Sequence, residues 1–193
     1  LFPYTTLFRS NPISGTVSKA GIPKLIEERL DKETFDYDIA ETEYAGHATE
    51  LAKKAAEKGV DIVVAIGGDG TVNEVGRALI NTETAMAILP CGSGNGLARH
   101  LRLPMNLKKC IDIINMCDIH SLDYGIINQH TFFCTCGMGF DAFISMKFAN
   151  AGKRGPITYV QQVLEEGVKY VPETYEIEDE DGIQHYKAFL VSA

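Results

Sequence analysis

Positively charged residues are scarce in this chain of 193 residues. Eighteen lysines and arginines stand against 26 aspartates and glutamates, so the formal net charge at pH 7 is −8. A domain that holds nucleic acid by its phosphates needs clustered positive charge, and a net excess of acid argues against that class of partner. Any polyanion that the protein binds must therefore be held locally, by a small set of groups.

Long apolar runs and paired cysteine motifs are also lacking. The longest apolar stretches, such as Ile62–Ile66 and Ala85–Leu89, are far shorter than the roughly 20 residues of a membrane-spanning helix. The five cysteines are odd in number and form no C-x-x-C pair, which argues against a disulfide framework or a zinc ribbon. No basic segment followed by an apolar stretch opens the chain. We therefore expect a cytoplasmic protein with no membrane span.

The first part of the sequence predicts an α/β fold with a parallel sheet. The β-branched run Val60–Ile66 is followed by a glycine-rich turn, Gly67–Gly70, and by helical spacing over Thr71–Ile80. The same order returns at once, since the strand Ala85–Leu89 leads into the glycine-rich stretch Pro90–Gly96 and another helix. Strands that alternate with helices in this way indicate a parallel sheet. Helices are also predicted over Pro23–Leu30, Ala48–Ala55 and Leu107–Met116, and a strand over Phe35–Ile39.

The pattern then changes from alternating strands and helices to mostly strands, and we place a domain boundary near Ser121. We expect an α/β domain over residues 11–120 and an incomplete β-rich domain over 121–193. The pair Asp181-Gly182 is a favoured hairpin turn between two of the predicted strands. The elements predicted after the boundary are strands over Ser121–Asn128 and Thr131–Cys136, a helix over Pro156–Tyr170, and strands over Tyr175–Glu178 and His185–Val191.

Both ends of the sequence differ from the rest. Leu1–Ser10 has neither the alternation nor the apolar run of a typical first strand. We interpret residues 1–10 as a non-native segment, with an irregular strand at a sheet edge as the alternative. Tyr186–Ala193 has a strand pattern with no turn or polar tail after it, which favours a chain cut inside a sheet.

Gly67–Glu74 has the composition of a phosphate-binding loop. It lies where an apolar strand ends and a helix begins, the place at which open α/β sheets bind ligands. Glycines leave backbone N–H groups unshielded, and a helix N-terminus adds free donors, so such a loop can hold phosphate without lysine. The residue order matches neither the dinucleotide motif G-x-G-x-x-G nor the P-loop G-x-x-x-x-G-K-[ST]. A phosphate site of another kind is therefore predicted.

Asp69 is the unexpected member of this loop. A carboxylate among amides directed at phosphate would repel the ligand unless it bound magnesium or took a proton from an attacking hydroxyl. The alternative is structural, because Asp69 or Thr71 could cap the helix that begins here. Both interpretations are open on the sequence alone.

Two further stretches have turn chemistry next to predicted helices. In Pro90–Gly96, Ser93 and Asn95 supply side-chain hydrogen bonds that could reach a nucleotide or pin the neighbouring loop. Because the strands before the two glycine-rich loops are successive, we expect the loops to lie side by side. Asn11–Gly15 places hydroxyl and amide donors just before the first predicted helix. Each stretch alone fits ordinary turn chemistry.

In combination, four motifs resemble one family. Asn11–Gly15, Thr42–Ala48, Gly67–Val75 and Pro90–Asn95, in this order, are similar to the catalytic domain of diacylglycerol, sphingosine and ceramide kinases and of bacterial lipid kinases. Gly137–Ala142 resembles the start of that family's second domain. The resemblance implies a phosphofructokinase-like nucleotide-binding domain followed by a C-terminal β-sandwich, with ATP and lipid meeting between them.

The resemblance also implies which residues act. Asp69 would be the essential acidic residue at the phosphates, acting as a base or as a ligand that organises Mg²⁺. Asp141 would face the lipid headgroup or cap the helix after it. ATP and Mg²⁺ are the implied cofactors, and a lipid at the membrane surface is the implied acceptor. The residues implied to contact ATP are Asn11, Ser14, Gly15, Thr42, Gly67, Gly68, Asp69, Gly70, Thr71, Asn73, Glu74, Gly92, Ser93 and Asn95.

The leading hypothesis is an ATP-dependent lipid kinase that transfers the γ-phosphate to the hydroxyl of a diacylglycerol or sphingoid-type lipid. The family resemblance implies that magnesium-linked acidic residues and a catalytic glutamate lie beyond this sequence, so the chain alone could be inactive. One alternative is an NAD kinase-like phosphotransferase, which shares the Gly-Gly-Asp-Gly-Thr core. Another is a nucleotide-binding module that transfers no phosphate.

Overall fold

The computed structural model describes residues 4–10, 21–150, 167 and 169–193. The chain divides into two compact units, Leu1–Cys134 and Thr135–Ala193. Within the described residues, no helix combines the length and the apolar character needed to cross a bilayer.

A four-stranded parallel sheet organises the first unit. Its strand order is β2-β1-β3-β4, and helices follow the strands along the chain, which confirms the predicted α/β fold. The strands are β1 (Tyr4–Ser10), β2 (Phe35–Glu41), β3 (Ile62–Gly67) and β4 (Ala85–Pro90), and the helices are α1 (Ile22–Arg29), α2 (His47–Glu57), α3 (Asp69–Leu79), α4 (Gly96–His100) and α5 (Leu107–Met116).

β1 lies inside the sheet, between β2 and β3, rather than at an edge as the sequence suggested. Thr6 pairs with Tyr37 on one side and with Ile62 on the other. Backbone hydrogen bonds to two neighbours do not depend on side-chain alternation, so a weak sequence pattern is compatible with a central strand. That the first ten residues are non-native stays a prediction.

The core is divided between the two faces of the sheet. Every residue of β3 is buried, and successive side chains point to opposite faces. Val64 and Ile66 pack in the cluster that includes residues of α1 and α5. Val63 and Ala65 pack in the cluster that includes residues of α2 and α3. Both faces of the sheet are therefore covered by helices, and the loops after β3 and β4 lie at the carboxyl edge.

A short antiparallel hairpin completes the first unit. Its strands, β5 (Gly125–Ile127) and β6 (His130–Phe132), are shorter than predicted but pair as predicted. The ring of Phe133 lies 2.7 Å from the position of a Cβ built on Gly76 of α3. This packing places the hairpin with the first unit, so the compact units divide after Cys134 and not near Ser121.

The second unit contains two small antiparallel sheets, β7 with β10 and β8 with β9. Gly182 has φ 111° at the predicted Asp181-Gly182 turn, which confirms the hairpin. The helix α6 was not predicted from periodicity, and the predicted helix Pro156–Tyr170 lies almost entirely outside the described residues. A β-sandwich stays a prediction. The elements are β7 (Gly137–Gly139), α6 (Phe140–Asn150), β8 (Glu173–Asp179), β9 (Gly182–Ala188) and β10 (Leu190–Ser192).

Two isoleucines of α5 provide a matched test of this core. Ile111 is 0% exposed and packs under the sheet, whereas Ile113 is 38% exposed. We expect Ile111→Ala to lower the free energy of unfolding by about 2–5 kcal/mol, because it leaves a cavity. Ile113→Ala should change it by less than about 1 kcal/mol. Urea denaturation of both variants measures the difference, and equal losses would contradict the assigned face of α5.

Candidate phosphate-binding site

The two glycine-rich loops lie side by side, as the sequence predicted. Gly67 pairs with Pro90 at the ends of β3 and β4, and the backbone N–H of Cys91 donates to the Gly67 carbonyl at 2.8 Å. A Cβ built on Gly92 would lie 2.5 Å from the Cα of Gly68. No side chain fits between the loops at this point, so glycine is required where the two backbones meet.

The Asp69 carboxylate joins the two loops. Its Oδ2 accepts a hydrogen bond from the Asn95 backbone N–H at 2.9 Å, and its Oδ1 accepts one from the Gly96 N–H at 2.5 Å. These two amides stand at the start of α4, where intrahelical acceptors are lacking. Helix α3 itself has Gly68 at its N-cap and no side-chain cap. Asp69 therefore bonds the start of α4 rather than capping its own helix.

Asn95 fixes the conformation of the second loop. Its side-chain oxygen accepts from the Gly92 N–H at 2.8 Å, and its side-chain amide donates to the Gly92 carbonyl at 2.8 Å. The amide side chain makes both bonds at once because it carries its acceptor and its donor on separate atoms. The backbone of Asn95 is left-handed, with φ 56° and ψ 47°, which asparagine tolerates better than most residues. This turn directs the Asn95 backbone N–H at Asp69.

Backbone donors are available at the start of α3. The first intrahelical bond joins the Val72 N–H to the Gly68 carbonyl, so the amides of Asp69, Gly70 and Thr71 precede it and have no acceptor within the helix. A Cβ built on Gly70 would meet no atom of the described residues within 4 Å. Free N–H groups beside open space at a helix N-terminus fit a phosphate group. This part of the first loop therefore fits the phosphates of a nucleotide.

Three more predicted nucleotide contacts are Asn73 and Glu74 on α3 and Thr42 after β2. The buried Oδ1 of Asn73 has no hydrogen-bond partner among the described residues. Glu74 Oε1 accepts from the Gly46 N–H at 3.1 Å, and the Glu74 carbonyl accepts from the Thr49 hydroxyl at 3.0 Å. Thr42 is buried just after β2. Glu74 thus connects α3 to the start of α2, and its contact with ATP stays a prediction.

The remaining predicted residues are placed as follows. Ser93 is exposed on the second loop. Asp141 stands in the first turn of α6 in the second unit, where its Oδ1 accepts from the Ala142 N–H at 2.8 Å. A role at a lipid headgroup stays a prediction for Asp141. Asn11, Ser14 and Gly15 lie outside the described residues.

The site contains little that could hold a metal ion by protein groups alone. No cluster of three or more His, Cys, Asp or Glu side chains suited to a metal occurs in the described part of the chain. Mg²⁺ is commonly held by one or two carboxylates together with substrate phosphates and water. Asp69 at the phosphate loop fits that kind of shared coordination.

Sequence reasoning did not select Gly94 and Gly96. The Gly96 N–H is a partner of Asp69, and a Cβ built on Gly94 would lie 2.7 Å from Asp69 Oδ2. The glycine spacing of the second loop was the available signal, but it does not tell which amide meets a carboxylate.

Comparison with known proteins assigns the family. The family described as "Diacylglycerol kinase catalytic domain" matches residues 6–127. The chain belongs to the diacylglycerol kinase catalytic domain family. The match includes both glycine-rich loops and Thr42, and it ends at the hairpin strand β5.

Named relatives of this family member come from several bacteria. A diacylglycerol kinase of Staphylococcus saprophyticus is 34% identical over 63% of this chain and 41% of its own length. A diacylglycerol kinase of Bacillus subtilis is 31% identical over 67% of this chain and 44% of its own length. The matched stretches therefore span less than half of these relatives.

A solved structure supports the same family assignment. The crystal structure of a diacylglycerol kinase from Bacillus anthracis matches with a TM-score of 0.71 and 26% identity, over 98% of this chain and 63% of that one. The fold of the chain is thus the fold of a structurally known member.

The contact between the loops can be tested with two glycines of this diacylglycerol kinase family member. Gly92→Ala should lower the free energy of unfolding by about 1–3 kcal/mol, because its Cβ collides with the Gly68 backbone. Gly70→Ala is the control, since a Cβ there would meet no neighbour among the residues that the structure describes. We also expect faster hydrogen exchange at the Asn95 and Gly96 amides in Gly92→Ala alone, measured by NMR. Equal exchange in both variants would contradict the close approach.

Proposed function

We propose that this chain contributes the nucleotide-binding part of an ATP-dependent lipid kinase. The γ-phosphate of ATP would pass to the hydroxyl of a lipid of the diacylglycerol or sphingoid type. The observation that carries the proposal is the Asp69 carboxylate, which holds two glycine-rich loops together beside helix amides that have no acceptor within α3. The relatives named diacylglycerol kinases support the choice of reaction.

Phosphate would bind at the first turn of α3. The N–H groups of Gly70 and Thr71 supply hydrogen bonds, and the helix N-terminus supplies a positive partial charge. Bound Mg²⁺ would neutralise part of the charge that develops on the transferred phosphoryl group. Backbone donors suit an acidic protein, because they attract phosphate without a cluster of lysines.

Asp69 would have two tasks. Two of its acceptor positions are taken by the Asn95 and Gly96 amides, which fixes the carboxylate and the second loop relative to the first. An ionised carboxylate has about four acceptor positions in all. The others can face a Mg²⁺-bound water or the proton of the attacking hydroxyl. A fixed orientation of this kind favours catalysis, since no reorganisation is needed during the reaction.

The acceptor would be reached at a membrane surface. Lipids such as diacylglycerol remain in the bilayer, so we propose peripheral contact from the cytoplasm rather than a membrane span.

The proposal is tested by phosphate transfer in the gene product that carries this chain. Radiolabelled ATP and Mg²⁺ are incubated with vesicles containing diacylglycerol or sphingosine, and separately with NAD. We expect label in one lipid, and we expect Asp69→Asn to slow transfer about 100-fold, the scale of a lost acid–base group. Asp118→Asn removes an exposed carboxylate that lies 3.1 Å from His120 Nε2 and should leave transfer unchanged.

Three other outcomes would contradict the proposal. Label in NAD would indicate the NAD kinase-like alternative. ATP binding without transfer to any acceptor would favour a nucleotide-binding module. Full activity in Asp69→Asn would show that the Asp69 carboxylate has no role in the reaction.

A further inference from the structure

Tyr44 and His47 form a parallel aromatic stack in the loop that leads into α2. Their ring centroids lie 4.4 Å apart, and the ring planes meet at 4°. Tyr44 is 52% exposed although His47 covers one face of its ring, so about half of its surface remains accessible. An exposed aromatic ring that is already stacked on one side offers its free face to a planar ligand.

Hydrogen bonds hold both rings in place. The Tyr44 hydroxyl donates to Glu50 Oε2 at 3.0 Å, and the Glu43 backbone N–H donates to His47 Nδ1 at 3.1 Å. The bond to the Glu50 carboxylate also raises the pKa of Tyr44, so its phenol stays neutral at physiological pH. Because these side chains are ordered without a ligand, binding would cost little additional conformational entropy.

The stack is connected to the helix that begins at the phosphate site. Gly46 stands between the two rings in sequence, and its N–H donates to Glu74 Oε1 on α3 at 3.1 Å. Thr49, in the first turn of α2, donates to the Glu74 carbonyl at 3.0 Å. Glu74 lies about 7.5 Å along α3 from Asp69 at the usual rise per residue. Hydrogen bonds through Glu74 therefore connect the loop that carries the two rings to the helix whose first turn carries the phosphate donors.

The position of the stack also fits a ligand that reaches across the sheet edge. Tyr44 follows the carboxyl end of β2, and the two glycine-rich loops follow the carboxyl ends of β3 and β4. Ligands of open α/β sheets bind along this edge. A nucleoside triphosphate combines phosphates with a planar aromatic base, and those are the two kinds of group that the edge can accept.

We propose that the Tyr44–His47 stack is the platform for the base of the nucleotide whose phosphates bind at Gly67–Thr71. The inference rests on the proposed function, because it needs a nucleoside triphosphate at the loops. Stacking accepts any base that has a flat face, so the platform adds affinity for nucleotides and does not choose among bases. A purely structural role, in which the stack only closes the first turn of α2, is the competing explanation.

Calorimetry with two ligands separates these explanations. Mg²⁺–ATP carries a base, and Mg²⁺–tripolyphosphate carries none. We expect Tyr44→Ala to weaken ATP binding roughly tenfold, the size of one lost stacking contact, and to leave tripolyphosphate binding unchanged. Tyr44→Phe keeps the ring and should bind ATP like the unmodified chain. Tyr186→Ala removes another tyrosine that is 46% exposed and serves as the matched control.

Each alternative result has a definite meaning. Equal weakening of both ligands in Tyr44→Ala would show a structural role and overturn the platform. If Tyr44→Ala binds both ligands and its affinity for ATP is unchanged, the platform is overturned. The proposed phosphate site would not be contradicted by that result. Failure of the unmodified chain to bind either ligand would overturn the platform and the proposed function together. The melting temperature of each variant shows whether Tyr44→Ala folds.

Discussion

The bridge from Asp69 to the amides of Asn95 and Gly96 is the interaction on which the site depends. It requires β3 and β4 to be neighbours in register, since only then do the loops that follow them meet. It also requires glycine at positions 68 and 92, where the backbones approach too closely for a side chain. Finally, it requires the left-handed turn at Asn95, which aims its N–H at the carboxylate. The site therefore depends on the order of the strands and on the conformation of both loops.

The arrangement of the two loops explains how a chain with a net charge of −8 can offer a site for phosphate. The attraction would come from backbone amides and a helix end, which are fixed in position and add no lysine to the loop. A carboxylate in the same place would oppose phosphate binding if it were free. Two hydrogen bonds from the second loop instead offset part of its charge, and they leave further acceptor positions for a proton or a hydrated metal ion.

Much of the fold follows from local pattern, and the details of the site do not. The buried run of β3 and the glycines after it predicted a parallel sheet with adjacent loops, because side-chain type and strand order suffice for that. The central position of β1 depends on backbone pairing with two other strands, which its own side chains do not encode. The partners of Asp69 and of Glu74 depend on loop conformation, so composition identified the residues and not their bonds. Asn11, Ser14 and Gly15 were selected from a motif and stay predictions.

If the two glycine-rich loops bind phosphate as one unit organised by Asp69, their backbone amides should respond to a nucleotide together. An NMR titration of the chain with Mg²⁺–ATP, following each backbone amide, is the decisive experiment. We expect the amides of Gly67–Thr71 and those of Gly92–Gly96 to shift together, with the same apparent dissociation constant. Shifts confined to one loop, or centred on another part of the sheet, would contradict it.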